Sequence, residues 1–109
     1  MSESGALHRV AKTSDLQPGQ SRCLQLGSRA ILLCQTAEGY YAIDNECSHA
    51  MASLAEGKLK GNRVFCPLHG AAFDVRDGSA LTRPASIPLQ TYEVHINGDD
   101  ILIALEHNT

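Results

Sequence analysis

The sequence lacks the features that would place it at a membrane. No apolar run approaches the roughly 18 residues that span a bilayer, and the stretch Ile101–Leu105 near the C-terminus has only the length of a strand. The first residues, MSESGALHRV, have no charged start followed by an apolar stretch, so no signal peptide is predicted. We therefore expect a cytoplasmic protein without a membrane partner, in which the thiols stay reduced.

The chain also lacks an excess of basic residues. It has 9 Lys and Arg against 12 Asp and Glu, a net charge of −3, whereas nucleic-acid binders usually present a basic stripe. Nucleic acid is therefore not an expected partner. A length of 109 residues excludes a large multidomain enzyme, and 43% hydrophobic with 19% charged residues suits one globular domain over residues 1–109.

No long helical period appears, and turn signals such as Asp77-Gly78 and Asn97-Gly98 are dense. Short helical turns are expected only within Thr13–Leu16 and Ala50–Glu56. The runs between the turns are rich in strand-forming residues, and seven strands are predicted: Ser21–Leu26, Ala30–Gln35, Tyr40–Ile43, Arg63–Phe65, Ala72–Val75, Thr91–Ile96 and Asp100–Leu105. The pattern predicts an all-β fold, an antiparallel sandwich or small barrel.

Two loop-like stretches interrupt the strands, and each carries one cysteine and one histidine. The first contains Cys47 and His49, and the second contains Cys66 and His69 in the run Cys66-Pro67-Leu68-His69-Gly70. Each follows a predicted strand, so strands held in one sheet would let the loop tips approach each other. The four side chains are therefore candidate ligands of one metal centre.

Two kinds of metal site fit these ligands. Four-coordinate zinc accepts two Cys and two His, but zinc sites commonly pair like ligands. Mixed Cys-x-His and Cys-x-x-His pairs suit a two-iron cluster, because each loop can then supply one ligand to each iron. In that arrangement Cys47 and Cys66 would bind one iron, and His49 and His69 the other. For Cys23 and Cys34, which lie in predicted strands, ordinary packed thiols are expected.

The wider context of the loops resembles the Rieske ferredoxins of bacterial aromatic ring-hydroxylating dioxygenases. The similarity runs from about Val10 to Leu105 and is carried by both loops, Ala72-Phe73-Asp74, Asp77-Gly78 and Pro84-Ala85. It implies a Rieske-type fold with a small inserted cluster-binding subdomain at about residues 45–86 and one [2Fe–2S] cluster per chain. In that family a proline-containing loop covers the cluster, and Arg83–Pro88 matches it.

The resemblance implies an electron carrier rather than an enzyme. Its partners would be a ferredoxin reductase, expected to be a flavoprotein, and a terminal oxygenase, with no small-molecule substrate of its own. With 109 residues, the chain is not expected to contain the mononuclear iron domain of an oxygenase α-subunit. Respiratory Rieske proteins have a disulfide between the loops and a serine after the second loop's glycine, and these positions are Ala52, Leu68 and Ala71 here.

Two other functions stay open from the sequence. A zinc-binding structural or interaction module would use the same four residues. The small Rieske-like subunit of an assimilatory nitrite reductase would share the fold, although such subunits often lack the ligands that this chain keeps.

Overall fold

A computed structural model of the protein describes residues 6–47, 52–68, 70–82 and 87–105. Two short 3₁₀ turns, Thr13–Asp15 and Leu54–Glu56, lie within the expected helical stretches. Within the described ranges, no helix is long and apolar enough to cross a bilayer. The described residues also form ten strands: β1 (Ala6–Lys12), β2 (Gln20–Leu26), β3 (Arg29–Thr36), β4 (Gly39–Asp44), β5 (Lys58–Lys60), β6 (Arg63–Phe65), β7 (Ala72–Asp74), β8 (Thr91–Tyr92), β9 (Val94–Asn97) and β10 (Asp100–Leu105).

The strands form three antiparallel sheets. The largest has the order β2-β3-β4-β8, a second has the order β1-β10-β9, and a third, smaller sheet has the order β5-β6-β7. The all-β, antiparallel prediction is confirmed. The small sheet comes from the middle of the chain, between β4 and β8; the first cysteine-containing loop precedes it, and the second connects its strands β6 and β7.

Strand β3 is covered on both faces, which explains its run of consecutive apolar residues. Ile31 and Leu33 belong to a core that also includes Ile101 and Ile103 of β10. Leu32 and Cys34 point into a second core with residues of the small sheet. All four β3 side chains are fully buried, and burying an aliphatic side chain contributes about 2 kcal/mol. β3 therefore joins the two cores, and the second core supports the cysteine-containing loops.

The structure differs from the sequence prediction near the C-terminus. The predicted strand Thr91–Ile96 is divided at Glu93 into β8, which pairs with β4, and β9, which pairs with β10. The single-strand prediction was wrong because a chain that passes between two packed sheets must leave one hydrogen-bonded ladder before it joins the other. The Asn97-Gly98 hairpin is confirmed, since Asn97 pairs with Asp100 and Gly98 has a φ of +62°.

Two strands were not predicted at all. β1 alternates polar and apolar residues weakly, and it is a strand because β10 pairs with it over most of its length. β5 has the sequence Lys-Leu-Lys and is held by pairing with β6, with only Leu59 packed against the core. In both cases a neighbouring strand supplies the stabilisation that local propensity does not.

Candidate metal centre

The first cysteine-containing loop leaves β4 and is closed by a narrow neck. Glu46 and Ser53 form an isolated antiparallel bridge. The Cys47 backbone N–H donates to the Ala52 carbonyl oxygen at 3.0 Å. On the return arm, Leu54 is almost completely buried, so it anchors the loop in the core shared with the small sheet. Cys47 is thus hydrogen-bonded across the neck of the loop, directly after the Glu46–Ser53 bridge.

The second cysteine-containing loop is the tip of the β6–β7 hairpin. Phe65 pairs with Ala72 at the end of the ladder, and the Cys66 N–H donates to the Ala71 carbonyl oxygen at 2.7 Å. Gly70 has a φ of +71°, a conformation that side chains other than glycine rarely adopt, and this allows the chain to turn back. Cys66 therefore occupies the same position in its loop as Cys47 does in the first.

The two cysteine side chains contact each other. Each is 3% exposed, and both belong to one core cluster. Burial raises the pKa of the Cys66 thiol, a hydrogen bond with the Leu68 backbone lowers it, and the adjacent Cys47 thiol raises it again through a hydrogen bond and charge repulsion. A bound metal reverses this preference, because a coordinating thiol is deprotonated. Two adjacent sulfur donors that are shielded from solvent suit an iron–sulfur centre.

The other two predicted ligands, His49 and His69, lie outside the described residues, as does Met51. Among the residues that are described, no three His, Cys, Asp or Glu side chains form a metal-binding group. The structure therefore brings the two sulfur donors together, and the two imidazole donors remain predictions.

The remaining cysteines are separate from this pair. Cys34 is fully buried in β3, and burial raises the pKa of its thiol to about 12. Cys23 is exposed in β2. None of the four cysteines, all of which lie in the described ranges, forms a disulfide. For Cys34, the expectation of an ordinary packed thiol is confirmed, whereas Cys23 lies at the surface.

A third segment approaches the second loop from the side. The Leu81 N–H donates to the Ala72 carbonyl oxygen at 2.8 Å, and the Ala72 N–H donates to the Thr82 hydroxyl oxygen at 2.9 Å. The proline-containing stretch predicted to cover the centre starts directly after Thr82, and its residues 83–86 lie outside the described ranges. The residues that directly precede this stretch, Leu81 and Thr82, are thus fixed beside the base of the second loop.

Sequence reasoning missed a polar network at the base of the first loop. The Tyr92 hydroxyl of β8 donates to Asp44 Oδ1 at 2.5 Å, and Arg29 Nη1 donates to the Tyr92 hydroxyl oxygen at 2.9 Å. Asp44 is the last residue of β4, so this network fixes the point at which the chain leaves the large sheet. Nothing in the local sequence links these three residues, since Arg29 and Tyr92 are 63 positions apart.

Comparison with known proteins identifies the family. The model of the Rieske [2Fe–2S] domain matches residues 6–93. The ferredoxin component of biphenyl 2,3-dioxygenase from Rhodococcus jostii (strain RHA1) is 41% identical over 101 residues, covering 93% of this chain and 94% of the relative. The ferredoxin CarAc of Metapseudomonas resinovorans is 34% identical over 99 residues, covering 90% and 92%.

Solved structures agree with the sequence matches. The ferredoxin in a complex of reduced oxygenase and oxidised ferredoxin of carbazole 1,9a-dioxygenase superposes with a TM-score of 0.87 at 33% identity, covering 94% of this chain and 96% of that one. A nitrite reductase small subunit from Mycobacterium tuberculosis has a TM-score of 0.85 at 19% identity. At that identity the similarity shows a shared fold alone.

The chain belongs to the Rieske [2Fe–2S] domain family. Within it, the chain is a ferredoxin of the type found in multicomponent dioxygenases, an electron carrier rather than an enzyme, and its cofactor is a Rieske-type [2Fe–2S] cluster. The alternatives of a zinc module and a nitrite reductase subunit are not favoured.

Proposed function

We propose that this ferredoxin accepts one electron from a flavoprotein reductase and delivers it to the terminal oxygenase of an aromatic ring-hydroxylating system. The support is the similarity over nearly the full chain to ferredoxin components of such systems. A related ferredoxin occurs in complex with its oxygenase. We place the exchange in the cytoplasm, where reducing conditions keep thiols such as that of the exposed Cys23 free.

The ligand assignment is part of this proposal. Cys47 and Cys66 hold one iron, and His49 and His69 hold the other. The observation that carries it is the contact between the two buried thiols, one from each loop, at equivalent positions in their necks. When bound, the cluster takes up and releases a single electron. The protein's own part is to exclude water from the sulfur side, where the surrounding residues are apolar and buried.

We also propose that residues 1–109 form one Rieske domain, with a cluster-binding subdomain at about residues 45–86. Strands β5, β6 and β7 and both loop necks fall within that segment. The segment begins directly after β4, which ends at Asp44, and it ends before β8 begins at Thr91.

The ligand assignment is tested with Cys47→Ser and Cys66→Ser, each compared with Cys23→Ser. Cys23 is an exposed cysteine of the large sheet, so its variant controls for loss of a thiol. The first two variants are expected to lose the visible chromophore, and the control to keep it. Full cluster content in either loop variant would overturn the assignment.

The function is tested in two steps. After anaerobic dithionite reduction, the purified protein is expected to show the EPR signal of a histidine-ligated [2Fe–2S] cluster, with a mean g below that of an all-cysteine cluster. Purified reductases and oxygenases of aromatic-ring systems are then combined with the chain, and product formation is expected only when the chain is present. A protein that contains one zinc and no acid-labile sulfide would refute the proposal.

A further inference from the structure

One polar side chain in the neck of the first loop is buried and forms hydrogen bonds through both its nitrogen and its oxygen. Asn45, the residue after β4, is 6% exposed, and among the described residues only Thr36 is a second buried polar side chain. Asn45 Nδ2 donates to Ser53 Oγ at 2.9 Å, and Asn45 Oδ1 accepts the Ala55 backbone N–H at 3.0 Å. A single amide group therefore ties the outgoing arm of the loop to two residues of its return arm.

The backbone of the same residue connects the neck in two further directions. The Asn45 N–H donates to the Ala30 carbonyl oxygen of β3 at 3.0 Å, and the Leu54 N–H donates to the Asn45 carbonyl oxygen at 2.8 Å. The first bond attaches the neck to the large sheet, and the second repeats the link across the loop. Asn45 is thus the junction between the large sheet and the first loop.

This junction matters because the two cysteines are carried by different sheets. Cys47 lies two residues beyond Asn45 and is attached through the neck to the large sheet, whereas Cys66 extends directly from β6 in the small sheet. The separation of the two sulfurs therefore depends on how the neck is held. A hydrogen bond between buried neutral groups contributes only modestly to overall stability, whereas a displacement of Asn45 is transmitted over only two residues to the Cys47 sulfur.

We propose that Asn45 is a positioning residue of the metal centre, whose side-chain amide closes the neck of the first loop and so sets the place of Cys47 relative to Cys66. The inference rests on the proposed ligand assignment. It predicts that the Asn45 amide controls the spectrum, reduction potential and retention of the cluster, and that these effects are larger than its contribution to general stability would produce.

The test compares Asn45→Ala with Thr36→Val. Thr36 is the other buried polar residue in the described part of the chain. Its hydroxyl accepts the Glu38 N–H at 3.0 Å in the β3–β4 turn, at the opposite end of β4 from the neck. Thr36→Val therefore removes buried hydrogen bonding without touching either cysteine-containing loop. The thermal midpoint of each holoprotein shows how much stability each variant loses.

Three measurements on the cluster then separate positioning from stability. They are the EPR g-values of the reduced protein, the midpoint potential, and the rate of cluster loss to an iron chelator. Asn45→Ala is expected to alter the g-values and potential and to lose the cluster at least tenfold faster than the parent. Thr36→Val is expected to leave the g-values and potential unchanged, even where its thermal midpoint falls as far.

Two further variants keep the test decisive if Asn45→Ala does not fold. Ser53→Ala removes one partner of the amide and is expected to give a smaller change in the same direction. Asn45→Asp can still accept from the Ala55 N–H and from the Ser53 hydroxyl, so it is expected to restore the parental g-values and cluster retention. Failure of Asp to restore them, or parental cluster properties in both Asn45→Ala and Ser53→Ala, would overturn the inference.

The parent chain separates this result from the proposed function. A parent with no iron–sulfur EPR signal refutes the ligand assignment and the inference together. A parent with the expected signal, combined with Asn45 variants that lose stability but keep its spectrum, refutes the positioning role alone.

Discussion

Gly57→Ala is expected to displace the second loop and destabilise the protein. Gly57 ends the 3₁₀ turn on the return arm of the first loop, and a Cβ built there would lie 1.8 Å from the Phe65 carbonyl oxygen and 3.3 Å from Pro67 Cδ. The φ of Gly57 is −89°, which alanine adopts readily, so the expected cost is steric. Gly57 is therefore a point where the return arm of the first loop passes close to the base of the second.

The magnitude follows from the distance that must open. Ordinary Cβ contacts begin at 3.4 Å, so the Phe65 carbonyl and the Gly57 backbone must separate by about 1.6 Å. Both partners are backbone atoms, so no side-chain rotation relieves the contact. Overpacking of this kind costs about 3 kcal/mol, and the lower chain entropy of alanine in the unfolded state offsets less than about 1 kcal/mol. At roughly 4 °C per kcal/mol, the thermal midpoint should fall by about 10 °C.

The assay is thermal unfolding followed by circular dichroism, together with the iron and acid-labile sulfide content of the purified protein. The matched control is Gly61→Ala in the β5–β6 turn, where φ is +59° and no atom lies within 4 Å of the added Cβ. That control is expected to cost about 1 kcal/mol from backbone strain and to keep its cluster. If Gly57→Ala unfolds within about 3 °C of the parent and retains full iron content, the close approach of the two loops is not as described.

Three further predictions concern the potential, thiol reactivity and alkaline stability. In a potentiometric titration, the midpoint potential is expected near the low end of the Rieske range, about −150 mV. Ala71→Ser adds a hydrogen-bond donor beside the second loop and is expected to raise that potential by about 60 mV. A clearly positive midpoint of the parent protein would contradict this reasoning. Iodoacetamide should alkylate exposed Cys23 in the folded protein and spare Cys34, whose thiol is buried with a pKa of about 12. Peptide mass spectrometry measures the labelling of each cysteine, and equal labelling of the two would be inconsistent with the burial of Cys34. Burial and the Asp44 hydrogen bond raise the pKa of Tyr92 above its usual value of 10.0, so the neutral phenol contributes stability below pH 10 that is lost as pH rises further. Tyr92→Phe should cost about 1 kcal/mol at neutral pH and weaken the alkaline fall in thermal midpoint, and an unchanged alkaline profile would argue against the pKa shift.

The sequence alone determined the architecture and the two loops, because both follow from local signals. Turn residues and short strand-forming runs repeat along the chain and exclude long helices, which leaves an all-β fold. The paired Cys and His positions mark the ligand candidates, since metal-binding residues must be close in sequence when a loop supplies them. The run Ala30–Gln35 was recognisable as a strand for the same local reason.

Only the tertiary structure decided what depends on contacts between distant segments. It showed that β3 is buried on both faces, that the chain changes sheets at Glu93, and that Lys58–Lys60 pairs as a strand. The importance of Asn45 and Gly57 is likewise invisible locally, since Asn45 bonds to residues 8 and 10 positions away and Gly57 approaches the backbone of Phe65. Local sequence carries the propensity of a segment, whereas close approaches and buried hydrogen bonds exist only once the sheets have packed.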